Sequence, residues 1–177
     1  MINKLISNGV ITGIAITIYM ALLYAAGLEY LSNWWLTVLM YPIAIGLLCY
    51  FTIQMRNLYA AVPFDFKKTF IVFLSMAMIA TLVSTIWNIF LFNVIDKSLA
   101  KELSDLILEQ TREMMEKWGA PDETIVKTMK EMKDLPTQFK PLYQLKSWLS
   151  GGIFLVIVSA ICAAFLKRKN ESPFKAA

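Results

Sequence analysis

Histidine is absent from this chain, and only two cysteines occur among its 177 residues. Without an imidazole there is no Ser-His-Asp or Cys-His arrangement and no histidine-dependent zinc site. Cys49 and Cys162 fall near the same end of two apolar runs, where burial and reducing conditions favour inert thiols over a structural disulfide. Charge is scarce too. Only 17% of the residues are charged, against roughly a quarter in an ordinary soluble domain. No phosphate-binding loop or dinucleotide fingerprint appears, and no carboxylate sits inside an apolar run, so an intramembrane aspartyl protease and an acidic proton relay are both missing.

What is present is apolar: 58% hydrophobic residues and a mean hydropathy of +0.57. Four runs, Leu5 to Leu28, Leu31 to Ile53, Thr69 to Ile95 and Ser147 to Leu166, contain no Asp, Glu, Lys or Arg. Each reaches the roughly 20 residues that a helix needs to cross about 30 Å of hydrocarbon. They predict a single all-α membrane domain over 1–177, with spans at about 6–28, 34–53, 69–95 and 148–166. A cleaved signal peptide ending near Ala25, Ala26 and Gly27 is the weaker reading of the first run, whose uncharged stretch outlasts an ordinary signal core of about 7 to 15 residues.

The excess of 17 basic over 13 acidic residues invites a nucleic-acid reading, which its distribution removes. Lys4 precedes the first run, Arg56, Lys67 and Lys68 separate the second from the third, and Lys167, Arg168, Lys169 and Lys175 follow the fourth. The positive-inside rule then puts both termini in the cytoplasm and the segment from Asp96 to Lys146 outside. That segment holds nine basic and ten acidic residues, a balance that suits no polyanion.

Small residues Gly9, Gly13, Thr17, Ala21 and Ala25 recur every fourth position along the first run. They draw a narrow stripe where another backbone can come close, within the bundle or in a homodimer, and bundling is the favoured of the two. Pro42 predicts a kink in the second span, and Trp34, Trp35 and Tyr50 suit the interfacial belts. Asn88, with Thr81, Ser84 and Thr85 close by, is the conspicuous polar group of the third span and reads first as interhelical glue.

No Gly or Pro occurs between Pro63 and Gly119, so the third helix is expected to run on out of the membrane to about Trp118, projecting about 35 Å at 1.5 Å per residue. Gly119, Ala120 and Pro121 stop it and start a returning helix to about Leu135, after which Pro136 to Lys146 reads as an extended link. The result is a helical hairpin at about 96–135. Leu103, Leu106, Met114, Met129 and Met132 gather towards its apolar face and are the candidate partner-binding residues. Packing within the hairpin is the first role for Met114, Met115, Met129 and Met132, partner contact the second and Cu(I) a remote third. Glu113 with Lys117 and Glu123 with Lys127 have the spacing of ordinary pairs on a solvated face.

Phe64-Asp65-Phe66-Lys67-Lys68-Thr69-Phe70 lead into the third helix, Ile95-Asp96 stand at its end, and Arg112-Glu113-Met114-Met115-Glu116-Lys117-Trp118-Gly119 follow. In these segments the chain resembles the bacterial membrane proteins grouped as domain of unknown function 4199, a resemblance that implies a place in the bacterial inner membrane. It implies a small four-helix membrane protein with a charged, Met- and Glu-rich segment before the last helix, and it implies no catalytic residue or cofactor. Interaction is therefore the expected function, through docking of a membrane or envelope protein, or a second copy, by the hairpin. The alternative is a small transporter or channel component with a polar path along Asn88, Thr85 and Pro42. An enzyme acting through Asp96 or Asp122 has only the charged loop in its favour, and neither a catalytic nor a metal-binding set is expected.

Overall fold

A computed structural model describes residues 1–168, which leaves Lys169 and Lys175 of the basic terminus outside the described residues. The described part contains α-, 3-10 and π-helical segments and no strand. Helix α1, Ile2–Ala26, stops at Gly27, whose φ of 127° is open to glycine and strained for other residues. Its amide donates to the carbonyls of Leu23 and Tyr24 and closes the last turn. A short helix α2, Leu28–Ser32, turns the chain into α3, Trp34–Leu58. Asn33 caps α3, its side-chain oxygen accepting from the Trp35 amide at 3.1 Å, and the helix runs through Pro42 without interruption. Asp65 does the same for α4, Phe66–Phe90, accepting from the Lys68 amide at 2.8 Å.

The third helix does not continue unbroken to Trp118. After Phe90 it widens into one π turn, Leu91–Ile95, and at Asp96 the backbone becomes extended, with φ −136° and ψ 95°. Neither glycine nor proline causes the break. The Asp96 carboxylate accepts from the amides of Ser98 and Leu99, both at 3.1 Å, and starts a new helix α5, Leu99–Lys117. Asp and Ser side chains compete with the helical ladder for backbone donors, and here they win. The new helix lies against α2 instead of standing straight off the bundle, with Gln110 Nε2 donating to Ser32 Oγ at 3.0 Å.

Gly119 closes α5 as expected, at φ 71°, with its amide on the Glu116 carbonyl and the Ala120 amide on that of Met115. This pair of bonds defines a Schellman cap. Helix α6, Asp122–Glu131, then returns along α5 and stops short of the expected Leu135, giving way to a 3-10 segment, Met132–Phe139, that runs on into the stretch from Pro136 expected as an extended link. Pro141 opens the last helix, α7, Pro141–Leu166, seven residues before the predicted span begins. Proline has no amide to leave unpaired at a helix start, so this is where it costs least.

Helices α1, α3, α4 and α7 are long and apolar enough to cross a membrane, α4 counted with its π turn as Phe66–Ile95. Helix α4 is central, with α1 and α7 packed along it and α3 touching it more lightly. Two apolar clusters fill the bundle. Leu48, Met55, Phe64, Val72, Phe73 and Met76 occupy the end where α4 begins. Leu23, Leu31, Leu91, Phe92, Leu99 and Leu103 occupy the end where it stops. Outward-facing Ile14, Ile18, Ile153, Ile157 and Phe165 stay exposed, as lipid-facing positions should.

Candidate functional site

The small-residue stripe of α1 meets α4 at its first two glycines. A Cβ built on Gly13 would stand 2.7 Å from Val83 Cβ and 2.8 Å from the Ala80 carbonyl oxygen. One built on Gly9 would stand 2.9 Å from Ile79 Cβ and 3.0 Å from the Met76 carbonyl oxygen. Thr17 is half-buried, its hydroxyl without a partner among the described residues. Ala21 is half-buried and Ala25 exposed, so close approach is confined to the first half of the stripe.

On another face of α4, Thr81, Ser84, Thr85 and Asn88 follow one another at helical spacing. Thr81 donates to the Ala77 carbonyl at 2.9 Å and accepts from Trp148 Nε1 of α7 at 3.1 Å. Thr85 donates to the Thr81 carbonyl. The next two groups are unpaired: Ser84 Oγ and Asn88 Oδ1 are buried without a partner among the described residues. Asn88 is thus not seen acting as glue through its oxygen. A buried polar atom left unpaired costs about 1 to 3 kcal/mol, so both positions call for an explanation. Two cavities lie beside these residues. One of about 230 Å³ lies between α3, α4 and α7, with Ser84 and Thr85 in its wall, and the other, of about 390 Å³, has Thr85, Asn88 and Trp148 in its wall.

Sequence reasoning missed two other amides. Asn93 holds the last turns of the third span to the returning chain, its Nδ2 donating to the carbonyls of Ile89 at 2.9 Å and Phe139 at 3.0 Å. Asn8 is fully enclosed, and neither amide atom has a partner among the described residues. Both sit in apolar runs, as Asn88 does, and that was the signal available for them.

At the far end of the bundle α2, α5 and the 3-10 segment form a cap. Leu103, offered from the sequence as a partner contact, is only 5% exposed and belongs to the cluster with Leu23, Leu31 and Leu99. It is spent on the bundle and is withdrawn from the docking face. Leu106, Met129 and Met132 are half-buried, and Met114 is 40% exposed. Ion pairs Arg112–Glu116 at 2.9 Å and Lys117–Glu113 at 3.6 Å lie on the solvated face of α5; Glu123 and Lys127 form none among the described residues.

Asp96 ties this cap to α1, its Oδ2 accepting from the Tyr24 hydroxyl at 3.1 Å. The Ser98 hydroxyl bonded to its carboxylate, with smaller help from Tyr24 and the two backbone amides, holds Asp96 below the ordinary carboxylate range against partial desolvation. A lowered folded value favours the folded state above the unfolded pKa, and that contribution is lost as pH falls through the folded value. The protection of the Lys101 and Glu102 amides, whose donors bond to the Ser98 carbonyl, taken relative to the intrinsic exchange rate at each pH, should fall on acidification below the ordinary carboxylate range. Asp96→Asn should remove that pH dependence; an unchanged profile in the variant would assign it elsewhere.

No group of three or more His, Cys, Asp or Glu able to hold a metal occurs among the described residues, and Cys49 and Cys162 are free and half-buried. Neither the curated proteins nor the solved structures contain a match to the chain. A family model described as "Protein of unknown function (DUF4199)" matches residues 7–168, from the first apolar helix to the end of the last. Since that match takes in all four potential spans together with the capping hairpin, the chain belongs to the DUF4199 family.

Proposed function

We propose that this chain is a four-span bacterial inner-membrane protein that acts as an interaction component and not as an enzyme, with both termini cytoplasmic and the α5–α6 hairpin outside. Support for the orientation comes from where the basic segments meet. Arg56 donates to the Leu166 carbonyl at 2.9 Å, Arg168 to the carbonyls of Ala60 and Arg56, and Lys4 lines a recess beside Tyr59. All of these sit at the end where α4 begins, while the α1–α3 link at the other end, Gly27 to Asn33, carries no Lys or Arg. On that contrast the positive-inside rule favours a cytoplasmic first end.

The observation that carries the docking role is the tip of the hairpin. Near the Gly119 turn Trp118 is 78% exposed, and Met114 at 40% and Val126 at 67% are exposed on the helices either side of it, which are otherwise rich in charge. Exposed aromatic and Met side chains of this kind suit the centre of a protein contact. The docking face is therefore the tip, not the inward face with Leu103, and the partner is a membrane or envelope protein or a second copy. The other reading, a transporter or channel component near Asn88, draws on the two cavities. The narrower of them ends against Leu48 and Phe73 in the packed core, which suits a pocket better than a path.

A photo-crosslinking amino acid at position 118, compared in living cells with one at exposed Lys127, tests the docking role. A discrete adduct from 118 alone, lost when Met114→Asp and Val126→Asp are added, is expected, and a mass twice that of the chain would identify self-association. No adduct from 118, or equal adducts from both positions, overturns it.

A further inference from the structure

We propose that Arg56 and Arg168, clasped together at the end of the bundle where α4 begins, form a binding site for the phosphate of an anionic phospholipid. Such a site rests on the chain lying in a membrane, and on neither its orientation nor the docking tip. The two arginines come from the ends of different helices and interlock. Arg56 Nη1 donates to the Leu166 carbonyl at the end of α7 at 2.9 Å. Arg168 Nη2 donates to the Arg56 carbonyl in the last turn of α3 at 3.2 Å, and its Nη1 to the Ala60 carbonyl at 2.9 Å. The Arg168 amide holds the chain in place just beyond α7, donating to the Phe64 carbonyl at 2.8 Å. Complementing the negative helix ends accounts for part of this arrangement. It engages one guanidinium nitrogen of Arg56 and two of Arg168 among the described residues, although each fork carries five N–H donors. Most of the donors are left for another acceptor.

No acidic side chain takes them. Asp65 is the one carboxylate at this end among the described residues, and its Oδ1 is engaged by the Lys68 amide at 2.8 Å. The ion pairs among those residues, Arg112–Glu116 and Lys117–Glu113, both lie in the hairpin. Lys4, Lys67, Lys68 and Lys167 stand at the same end as the two arginines, so the local field is strongly positive and draws anions. Arg56 is half-buried and Arg168 exposed, which keeps the forks within reach. The level in the membrane gives the source of the anion. Both arginines border the last turns of potential spans, where the headgroups of the bilayer lie and where basic sites between helices take anionic lipids. Ile53, one turn further in on the same side of α3, and Phe165 of α7 are exposed and give acyl chains an apolar surface next to the head. An arginine fork meets two phosphate oxygens with parallel N–H bonds. A choline or ethanolamine head would bring its own ammonium among like charges. The head is therefore a phosphodiester without a compensating cation, as in phosphatidylglycerol or cardiolipin.

Native mass spectrometry of the full chain, released from mild detergent containing equal amounts of phosphatidylglycerol and phosphatidylcholine with the same acyl chains, tests the site. Retained phosphatidylglycerol should exceed phosphatidylcholine by about tenfold, and Arg56→Gln with Arg168→Gln should abolish the preference. Arg56→Lys with Arg168→Lys keeps the charge but not the fork and should lose most of it. Lys67→Gln with Lys68→Gln lowers the charge, spares both forks and should keep most of it. Arg168→Gln alone, beyond the last turn of α7, should reduce the preference severalfold, so a folding failure of the double variants does not decide the matter. Equal retention of the two lipids by the native chain overturns the site. A preference unchanged in Arg56→Lys with Arg168→Lys, or lost as fully in Lys67→Gln with Lys68→Gln, overturns the assignment to the arginine pair and leaves a diffuse basic surface. Displacement of the lipid by an equal concentration of glycerol phosphate overturns the lipid as the source and assigns a soluble phosphate. None of these readouts involves Trp118 or the hairpin tip, so failure here is separate from failure of the docking role.

Discussion

Gly13→Ala is expected to destabilise the detergent-solubilised bundle by about 1 to 3 kcal/mol, the range for overpacking by a single methyl group. Helix propensity alone predicts the opposite, because alanine is favoured over glycine inside a helix by about 1 kcal/mol. Contact decides the sign. The new Cβ would lie 2.7 Å from Val83 Cβ and 2.8 Å from the Ala80 carbonyl oxygen, neither of which is the free end of a flexible side chain. Helices α1 and α4 would have to separate along the most extensive helix pairing of the bundle. Val83→Ala should not rescue the variant, since it retains the Cβ and leaves the carbonyl in place. Gly46→Ala is the control, because a Cβ there meets nothing within 4 Å, and its stability should be unchanged or slightly raised. Thermal unfolding followed by circular dichroism separates the cases. A neutral Gly13→Ala would mean that α1 and α4 do not pack in this register.

Gly13 was legible in the sequence because small residues at every fourth position have one dominant use in a membrane helix, whatever the partner. The partner was not legible, since the stripe fits α4 of the same chain as well as α1 of another. The same division runs through the fold. Apolar length located four spans, and glycine and proline located the Gly119 turn. Breaks made by side chains escaped. Asp96 and Ser98 read as the first polar residues of a continuing helix, and only the bonds from the Ser98 and Leu99 amides to the carboxylate show that they start a new one. Pro141 carried a start signal, but Lys146 behind it made the apolar count begin at Ser147. Of the amides, Asn8, Asn88 and Asn93 look alike in sequence. Which one is enclosed, which faces a cavity and which bridges to Phe139 depends on helix rotation, and hydropathy does not encode that.

Leu103→Ala is expected to cost about 2 to 5 kcal/mol of the stability that holds the cap on the bundle, the usual range for emptying a buried leucine site. The side chain sits with Leu23 of α1, Leu31 of α2, Leu91 and Phe92 of the π turn and Leu99 of its own helix, so four segments border the space it would leave. Rigid helix ends on several sides cannot all move in to fill it, which places the cost towards the upper part of that range. The loss should be local. Exchange of the α5 and α6 amides and protease cleavage near Gly119 should accelerate, while the exchange of α4 below Ala80 stays slow, because the other apolar cluster is untouched. Met114→Ala, at an exposed site on the same helix, should leave both readouts as they are. The contrast bears on function as well as on fold. If Leu103→Ala left cap protection unchanged, α5 would not be anchored to the bundle, and its whole apolar face, Leu103 included, would be free for a partner. If protection collapses as expected, the bundle itself occupies that face, and a docking partner has only the Met114, Trp118 and Val126 tip to read.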